Sequence, residues 1–467
     1  MLKTEIKVKL STLSKMASTT QHSKDIEDIK EYKELTASQH VLKRPDMYLE
    51  ITSTTTTTTM IQDLGDVKDT KKFKELTTLQ HMLERSDMYL ESRNPESYEA
   101  VVSYDDNNIS RLKKVNCVHV HALEQLFMEA LNNVVDSVRR SRQDGMATKH
   151  VEATFTPTSI RFKNYGKAIP IDINNSNQWI PSIVFGELMS GNSFNDDKNN
   201  YYVGKNGYGV KLNNVYSKKF QVICYDRDRK RRFTQIWYDN VSRCQMYTDQ
   251  HNNETPHLVE DNIDEPDSYV DVYYEPDFAR FNVTCFDDAA FSLYQAHLMT
   301  MSFTCNIPVY LTVVKAINNQ DDIANNKITI QELINITSFE DYVKCFNSPK
   351  NVITFAGNKT GEGNWECILQ DTPNSGTIVA FVNGTTLLGR GGIIMDELLQ
   401  TIAKNIGLTT ADVERHMTLF INCNINKPNY DSRSKTYLTN TKPKIEIADT
   451  HLDSIKMWYS SLETSSA

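Results

Sequence analysis

The sequence feature that most constrains the fold is an apolar stripe that begins at residue 122. Apolar side chains recur there at three- and four-residue spacing, at Leu123, Leu126, Phe127, Ala130, Leu131, Val134, Val135 and Val138. This spacing predicts one amphipathic helix whose wide apolar face packs on a sheet. Glu129, Asn133 and Asp136 follow one another at i, i+4 and i+7, so their oxygen-bearing side chains lie along one edge of that helix. On spacing alone, a solvated polar face explains them as well as a functional site does.

A glycine-rich segment, GKNGYGVK at residues 204–211, is the second informative feature. Its three glycines permit positive φ and let backbone N–H groups approach an anion closely, and a lysine stands near each end. The segment runs into Leu212-Asn-Asn-Val-Tyr216, which predicts a helix that begins within it and points its N-terminal dipole at the same anion. An ordinary turn is the alternative. Residues 192–202, rich in Asn and Asp, predict a mobile loop ahead of it.

Composition limits the class of protein and of partner. The 467 residues have room for two or three domains, and 39% hydrophobic with 24% charged residues is typical of a soluble globular chain without a membrane span. A formal net charge of -9 argues against a protein that binds polyanions over its whole surface. The basic run at residues 226–232, DRDRKRR, is the best local candidate for contact with a nucleic-acid phosphate, although such a tip is usually a solvated turn.

The cysteines indicate the compartment. Eight are scattered without a CxxC pair, which predicts reduced thiols inside the cell rather than a disulfide or zinc framework. Nucleus, host cytoplasm and organelle are not distinguished. The lysine-rich first 24 residues are read as a disordered tail, with a mitochondrial-type presequence as the alternative.

One internal repeat lies near the start. The segment YKELT…QH…RPDMYLE at residues 32–50 recurs as FKELT…QH…RSDMYLE at residues 73–91, and a polythreonine tract between them reads as a linker. Two copies are a duplication and not a solenoid.

The remaining pattern predicts short strands and one further helix. Hairpins are predicted at residues 151–162 and 220–237, strands at 309–314, 367–369, 377–382 and 419–425, and a helix at 393–406. The Pro-Asn and Asp-Ser signals at residues 427–435 predict a loop.

In this order, the motifs resemble the ATPase region of type IIA DNA topoisomerases, especially the eukaryotic topoisomerase II branch. FMEALNNVVD at residues 127–136 resembles the family's N-box, and NYGKAIP at 164–170 resembles its N-x-G-x-G-I-P turn. IVFGELMSGN at 183–192 is similar to IFGxLxxSSN, and VGKNGYGVK at 203–211 to TGGRNGYGAK. Further counterparts lie at residues 235–240, 276–281 and 381–383. Several separated motifs in one order make the resemblance specific over residues 71–440.

The resemblance implies an α+β fold: a GHKL (Bergerat) ATP-binding sandwich of mixed sheet and helices, followed by an α/β transducer domain of ribosomal-protein-S5-like type. The domains implied are an N-terminal arm at residues 1–70, an ATPase domain at 71–300 and a transducer at 301–467.

The resemblance also implies roles for individual residues, with ATP and Mg²⁺ as cofactors. Glu129 would be the general base, and Asn133 the Mg²⁺ ligand, with Asp136 bracing the same face. Asn164 would pair with adenine in the turn that contains Gly166, and Lys435 would reach the γ-phosphate from the second domain. The remaining nucleotide contacts would come from Ser190, Asn192, Lys205, Asn206, Gly207, Tyr208, Gly209 and Lys211. Tyr32 matches a tyrosine that crosses to the partner protomer's nucleotide.

Four positions depart from the family pattern. Ala168 replaces the second glycine of the turn, Arg433 the glutamine of the QTK loop and Lys205 an arginine of the lid. None of these three replacements removes a catalytic group, but the sequence does not determine how they change the affinity for nucleotide. The second repeat copy lies at the usual distance from Glu129 but has Phe73 in place of the tyrosine, and it is favoured as the docked copy.

The function implied is an ATP-hydrolysing gate of a type II topoisomerase that forms a homodimer on ATP binding and drives passage of double-stranded DNA. No EGDSA motif or acidic DxD cluster of a TOPRIM domain occurs, so DNA cleavage would need a partner subunit or a missing C-terminal region. No membrane partner is expected. One alternative is a GHKL clamp that binds ATP and scarcely hydrolyses it, and another is a relative of the mismatch-repair or chaperone type.

Overall fold

The computed structural model describes residues 33–34, 76–107, 109–187, 190–191, 209–249, 251–316, 327–346, 351–359, 363–373, 376–387, 391–425, 428–430, 437–439 and 447–465.

The helices and strands are as follows, in chain order. The strands are β1 (Lys33–Glu34), β2 (Pro95–Asp105), β3 (Ser110–Val120), β4 (Val151–Thr156), β5 (Ser159–Tyr165), β6 (Ser190–Gly191), β7 (Ser217–Asp226), β8 (Arg231–Tyr238), β9 (Arg243–Cys244), β10 (Tyr247–Thr248), β11 (Glu254–Thr255), β12 (His257–Asp261), β13 (Tyr269–Pro276), β14 (Val309–Ala316), β15 (Lys327–Ile334), β16 (Val352–Lys359), β17 (Gly363–Asp371), β18 (Ile378–Val382), β19 (Thr385–Leu387), β20 (Gly391–Gly392), β21 (Met417–Cys423) and β22 (Tyr437–Leu438). The α-helices are α1 (Thr78–Glu84), α2 (His121–Gln143), α3 (Ile180–Gly186), α4 (Gly209–Val215), α5 (Asp288–Cys305), α6 (Phe339–Lys344), α7 (Ile393–Ile406), α8 (Thr410–His416) and α9 (Asp449–Ser465).

The chain folds into two compact units that interleave along the sequence. The described residues of the first unit fall within Met1–Met88, Lys167–Asn195 and Lys205–Tyr274, and those of the second within Tyr89–Gly166 and Glu275–Ala467. The consecutive domains predicted at residues 1–70, 71–300 and 301–467 stay a prediction.

The first unit is built on a sheet that carries two short helices. Its strands lie in the order β12-β8-β7-β13, with β9 paired to β8. The predicted hairpin is confirmed as β7 and β8, whose alternate residues Phe220, Val222, Phe233 and Trp237 are buried. This alternation arises because successive strand residues face opposite sides of a sheet, and here one side packs into the core. Helices α3 and α4 pack against each other in the same unit.

Both repeat copies contribute described residues to the structure. In the first copy, β1 pairs antiparallel with β6, where Glu34 lies opposite Ser190. In the second copy, α1 begins with a capping box formed by Thr77 and Gln80 and buries Met82. Tyr32 and Phe73 lie outside the described residues, so the choice between the two copies stays a prediction.

Among its described residues, the second unit contains two larger sheets and the two-stranded pairs β2–β3 and β20–β22. In the first, the strands run β5-β4-β14-β15, where β4 pairs antiparallel with β5 and parallel with β14. Helix α2 lies against β5 and α5, and the ring of Phe127 stacks on that of Tyr294 with 4.1 Å between centroids. The predicted hairpin at residues 151–162 and the amphipathic helix are confirmed.

The second sheet of this unit has the order β16-β17-β21-β18-β19. Helices α7, α8 and α9 pack on its core through buried residues such as Leu398, Ile402, Val413 and Ile455. Helix α7 has the bounds that the sequence predicts. No described helix is long and apolar enough to cross a membrane.

The basic tip between β7 and β8 is electrically compensated. Each of its five basic side chains lies within 2.7 to 3.3 Å of a carboxylate, in the pairs Arg227–Asp228, Arg229–Asp226, Lys230–Asp264, Arg231–Asp261 and Arg232–Glu260. Arg232 also reaches Glu265. The tip is therefore not an open cationic patch, and its geometry does not favour the phosphate contact considered from the sequence. The carboxylates of β12 and the following loop, distant in sequence, account for the difference.

Candidate functional site

The three polar residues along one edge of helix α2 differ in their exposure to solvent. Asn133 is exposed, Glu129 is half-buried and Asp136 is buried. The Asn133 side-chain amide donates to the Glu129 backbone carbonyl at 2.6 Å, which fixes the side chain one turn along from the Glu129 carboxylate. The solvated-face alternative therefore fits Asn133 but not Asp136.

The predicted adenine-recognising residue lies against the same helix. Asn164, on β5, is buried, and its Nδ2 donates to the Ser137 hydroxyl at 2.9 Å. With the amide nitrogen held there, the carbonyl oxygen of the amide can accept an N–H of the type found on the amino edge of adenine. Ser137 directly follows Asp136, and its role in orienting Asn164 was missed from the sequence because a hydroxyl partner carries no spacing signal.

Gly166 follows Asn164 at the point where the chain leaves β5. Its φ is +152°, and a Cβ added there would overlap the hydroxyl of Ser141 on α2. Glycine at this position lets the turn pass directly over the helix. The second unit thus brings together Glu129, Asn133, Asp136, Asn164 and Gly166 along one helix, three of them on α2 itself and two on the strand and turn beside it.

In the first unit, the glycine-rich segment ends in a helix as predicted. Helix α4 begins at Gly209, and Lys211, within its first turn, is only 3% exposed. Burial lowers the pKa of the Lys211 ammonium to about 7, although the carboxylate of Glu187, just after α3, acts to raise it. An anion placed beside this buried ammonium would stabilise its charged form.

Buried amides hold α4 in place. Asn214 donates to the Phe185 carbonyl at 3.0 Å, and Asn240 donates to the Val215 carbonyl at 2.9 Å. Tyr216, directly after the helix, donates to the Met82 carbonyl at 2.5 Å. These bonds satisfy carbonyls at helix ends that a short helix cannot pair internally. The only sequence signal for these hydrogen bonds is the pair of asparagines between the apolar residues Leu212 and Val215.

Seven of the predicted site residues lie outside the described part of the chain: Tyr32, Asn192, Lys205, Asn206, Gly207, Tyr208 and Lys435. For Ser190 the backbone alone is described, in β6. Their predicted contacts stay predictions.

A buried polar network anchors the first half of α2, and sequence reasoning missed it. The Glu124 carboxylate accepts from the Tyr98 hydroxyl at 2.6 Å and lies 2.9 Å from the His297 imidazole of α5. Burial acts to raise the pKa of the Glu124 carboxyl, but the hydrogen bonds from His297 and Tyr98 hold that pKa below its ordinary value. Glu124 stands five residues before Glu129, so this network positions the helix that carries the candidate site.

The described residues are compatible with Mg²⁺ held mainly by phosphate oxygens. Among them, no three His, Cys, Asp or Glu side chains converge to form a metal site. Mg²⁺ in nucleotide enzymes is commonly held by one or two protein oxygens together with substrate phosphates. The exposed amide of Asn133 offers one such oxygen, so the donor set fits a metal that arrives with its nucleotide.

Comparison with known sequences identifies similar proteins. No family model matches the chain. The chain is 26% identical over 352 residues to DNA topoisomerase 2 of Caenorhabditis elegans, covering 71% of this chain and 21% of that protein. It is 26% identical over 359 residues to the mitochondrial DNA topoisomerase 2 of Dictyostelium discoideum, covering 72% and 26%. For DNA topoisomerase 2 of Acanthamoeba polyphaga mimivirus the identity is 23% over 336 residues, covering 69% and 24%. The chain thus spans about a quarter of the length of these relatives.

Solved structures confirm the fold. The ATPase region of Saccharomyces cerevisiae topoisomerase II superposes with a TM-score of 0.68 at 24% identity, covering 85% of this chain and 100% of that one. The ATPase and transducer domains of DNA topoisomerase II from Balamuthia mandrillaris give a TM-score of 0.63 at 22% identity, covering 84% and 99%. The α+β fold predicted from the sequence is therefore confirmed as the fold of the ATPase and transducer domains of these topoisomerases.

Proposed function

Because the chain is related in sequence and fold to the ATPase region of type II DNA topoisomerases, we propose that it binds and hydrolyses ATP. The observation that carries the proposal is the arrangement on α2, where Glu129 and Asn133 lie one turn apart and Ser137 holds the buried Asn164. An acid and an oxygen ligand on one helix, with a base-recognising amide of the neighbouring strand held against that helix, form the minimum set for a metal-assisted phosphoryl transfer to water.

Each of these residues has a distinct task in the proposed reaction. The Glu129 carboxylate, which is half-buried, accepts a proton from the attacking water. The Asn133 oxygen would hold Mg²⁺, which when bound neutralises charge on the phosphates. Asn164 orients the adenine. In keeping with the resemblance, Lys211 would supply positive charge for the phosphates, and Lys435 would supply a further one.

The proposed role in a larger reaction follows from the relatives. Proteins about four times the length of the matched region carry the name DNA topoisomerase 2. We propose that ATP binding joins two copies of this chain, and that turnover releases them to drive passage of double-stranded DNA. Cleavage would belong to a TOPRIM-containing partner or region, since the chain lacks the acidic motifs for it.

The test is a change of the Glu129 carboxylate to an amide of the same shape. Glu129→Gln should lower kcat for ATP by about 10² to 10⁴-fold, because it removes the general base. The affinity for a non-hydrolysable analogue should change less than about threefold, because the side-chain volume is kept. Steady-state phosphate release and calorimetric titration measure the two quantities.

Asp144→Asn is the matched control, because Asp144 is an exposed acid at the end of the same helix. Its turnover should equal that of the wild type. A Glu129→Gln protein that hydrolyses ATP at the wild-type rate would refute the assignment of the base. Tight binding without turnover in the wild type would instead support the nucleotide-dependent clamp.

A further inference from the structure

An Asn-Gly turn joins β18 to β19 in the second unit. Val382 pairs with Thr385, so Asn383 and Gly384 form a two-residue hairpin loop, and both have positive φ, at 52° and 76°. This is the backbone geometry of a type I′ turn, for which Asn-Gly is the preferred sequence. The turn is therefore a rigid object with its carbonyls in defined directions.

The Asn383 side chain clamps the chain where β21 ends. Its Nδ2 donates to the Ile425 carbonyl at 2.9 Å, and its Oδ1 accepts from the Ile425 N–H at 2.8 Å. Its own backbone N–H donates to the Cys423 carbonyl at 2.9 Å. Asn383 and Ile425 are 5% and 2% exposed, so water does not compete for these bonds. The amide thus replaces the ladder hydrogen bonds that a continuing strand would have made.

Helix α2 reaches the same turn through Arg139. One guanidinium nitrogen, Nη2, donates to the Asn383 carbonyl at 2.7 Å. A Cβ added at Gly384 would lie 2.6 Å from that nitrogen, so the guanidinium rests on the bare backbone of the glycine. A hydrogen bond from a charged donor to a carbonyl is stronger than one from a neutral donor. Gly384 leaves room for the guanidinium because it has no Cβ.

We propose that Arg139 is a positioning residue that fixes α2, and with it Glu129 and Asn133, relative to the end of β21 through the Asn383–Gly384 turn. The proposal rests on the proposed function, because the residues that it positions are those assigned to ATP. Arg139 is ten residues beyond Glu129 on one continuous helix, about 15 Å along its axis. A displacement at the turn is therefore transmitted to the candidate site as a movement of a rigid rod.

The same helix offers a matched control. Arg142, one turn further on, donates to the carbonyls of Cys305 and Asn306 at the end of α5, with 3.0 Å to the latter. It therefore ties α2 to a neighbouring helix and not to the turn. Loss of Arg142 and loss of Arg139 each remove charge-assisted bonds from one helix end, but only the second disconnects β21.

The experiment compares Arg139→Gln with Arg142→Gln in the full chain. Arg139→Gln should lower kcat for ATP about tenfold with KM changed less than twofold, because the turnover geometry is displaced while nucleotide contacts remain. Arg142→Gln should leave kcat within about twofold of the wild-type value, even if its Tm falls as much as that of Arg139→Gln. Arg139→Lys, which keeps one charged donor, should recover part of the rate.

Two further measurements separate this proposal from the proposed function. Hydrogen exchange at the Ile425 amide should speed up in Arg139→Gln and in Asn383→Ala, with or without ATPase activity. The kcat effects of these two changes should also be non-additive when combined, because both act through one turn. An Ile425 amide that exchanges at the wild-type rate in Arg139→Gln would overturn the proposal, as would equal kcat losses in the two arginine variants. Absence of ATP hydrolysis in the wild type would refute the proposed function. The exchange rate of the Ile425 amide would then still test whether Arg139 fixes α2 to the end of β21.

Discussion

At the scale of single residues, Lys211 shows how burial turns an ordinary side chain into a responsive one. A lysine in water keeps its charge well above neutral pH, whereas burial brings the pKa of Lys211 to about 7. The unfolded chain, with an ordinary value of 10.5, binds more protons between these two pH values. The cost of burying the charge is therefore fully present below pH 7 and is relieved as the pH rises toward 10.5.

This titration predicts a pH dependence of nucleotide binding. If phosphates require the charged form of Lys211, the affinity for a non-hydrolysable ATP analogue should fall above pH 7, by at most about tenfold per pH unit. Binding at pH 8 should also take up close to one proton. Calorimetric titration in buffers of different ionisation enthalpy measures both.

Lys211→Met is the informative variant, because it removes the titrating group. It should bind the analogue weakly with no pH dependence over this range, and its Tm at pH 6 should exceed that of the wild type. A Lys211→Met protein with the wild-type pH profile would show that another group is responsible.

At the scale of elements, α2 is held by polar contacts at both ends as well as by its apolar face. Glu124 is bound by Tyr98 and His297 near the start, and Arg139 donates to the Asn383 carbonyl near the end. Apolar packing alone is non-directional and permits a helix to slide or rotate. The polar contacts specify one position, which a site built on that helix needs.

The anchor at Glu124 predicts a large loss of stability when its carboxylate is removed. Glu124→Ala should lower the free energy of unfolding by about 3–5 kcal/mol, because it leaves the buried His297 imidazole and the half-buried Tyr98 hydroxyl without their hydrogen-bond partner. Urea unfolding of the two proteins at pH 7 measures the difference. Because the pKa of Glu124 lies below its ordinary 4.5, this contribution is present above that pH and is lost as the pH falls through the lower value.

Glu99 on β2 provides the comparison. Its ion pair with Lys114 spans 2.8 Å, but its side chain is 58% exposed, so Glu99→Ala should cost less than about 1 kcal/mol. If Glu124→Ala and Glu99→Ala lowered the free energy of unfolding equally, the buried network would contribute no more to stability than the exposed ion pair.

At the scale of the whole molecule, the proposed gate predicts a change of association state. A non-hydrolysable ATP analogue with Mg²⁺ should convert the 53.5 kDa chain into a species of twice that mass, whereas ADP should not. Sedimentation velocity measures the two species. A chain that stays monomeric at saturating analogue would exclude the gate and leave an ATPase without dimerisation.

The amount predicted from the sequence differs between local and long-range features. Helix α2, the hairpins β4–β5 and β7–β8, helix α7 and the start of α4 all follow from periodicity and glycine placement, since these signals operate over a few residues. The order of several motifs along the chain was enough to predict the resemblance to a topoisomerase II ATPase region, whose fold the structural comparison confirms. The roles of Glu129 and Asn133 came from that order and stay proposals.

Only the tertiary structure decided which charged and polar side chains meet. The basic run at residues 226–232 reads as a cationic patch, but carboxylates from β12 and the loop after it neutralise it. Glu124, which no sequence motif marks, is buried against His297, which is 173 residues away. Arg139 and Asn383 are 244 residues apart. Periodicity and motifs report the local backbone and the apolar face, whereas a hydrogen bond depends on partners that the chain brings together only when it has folded.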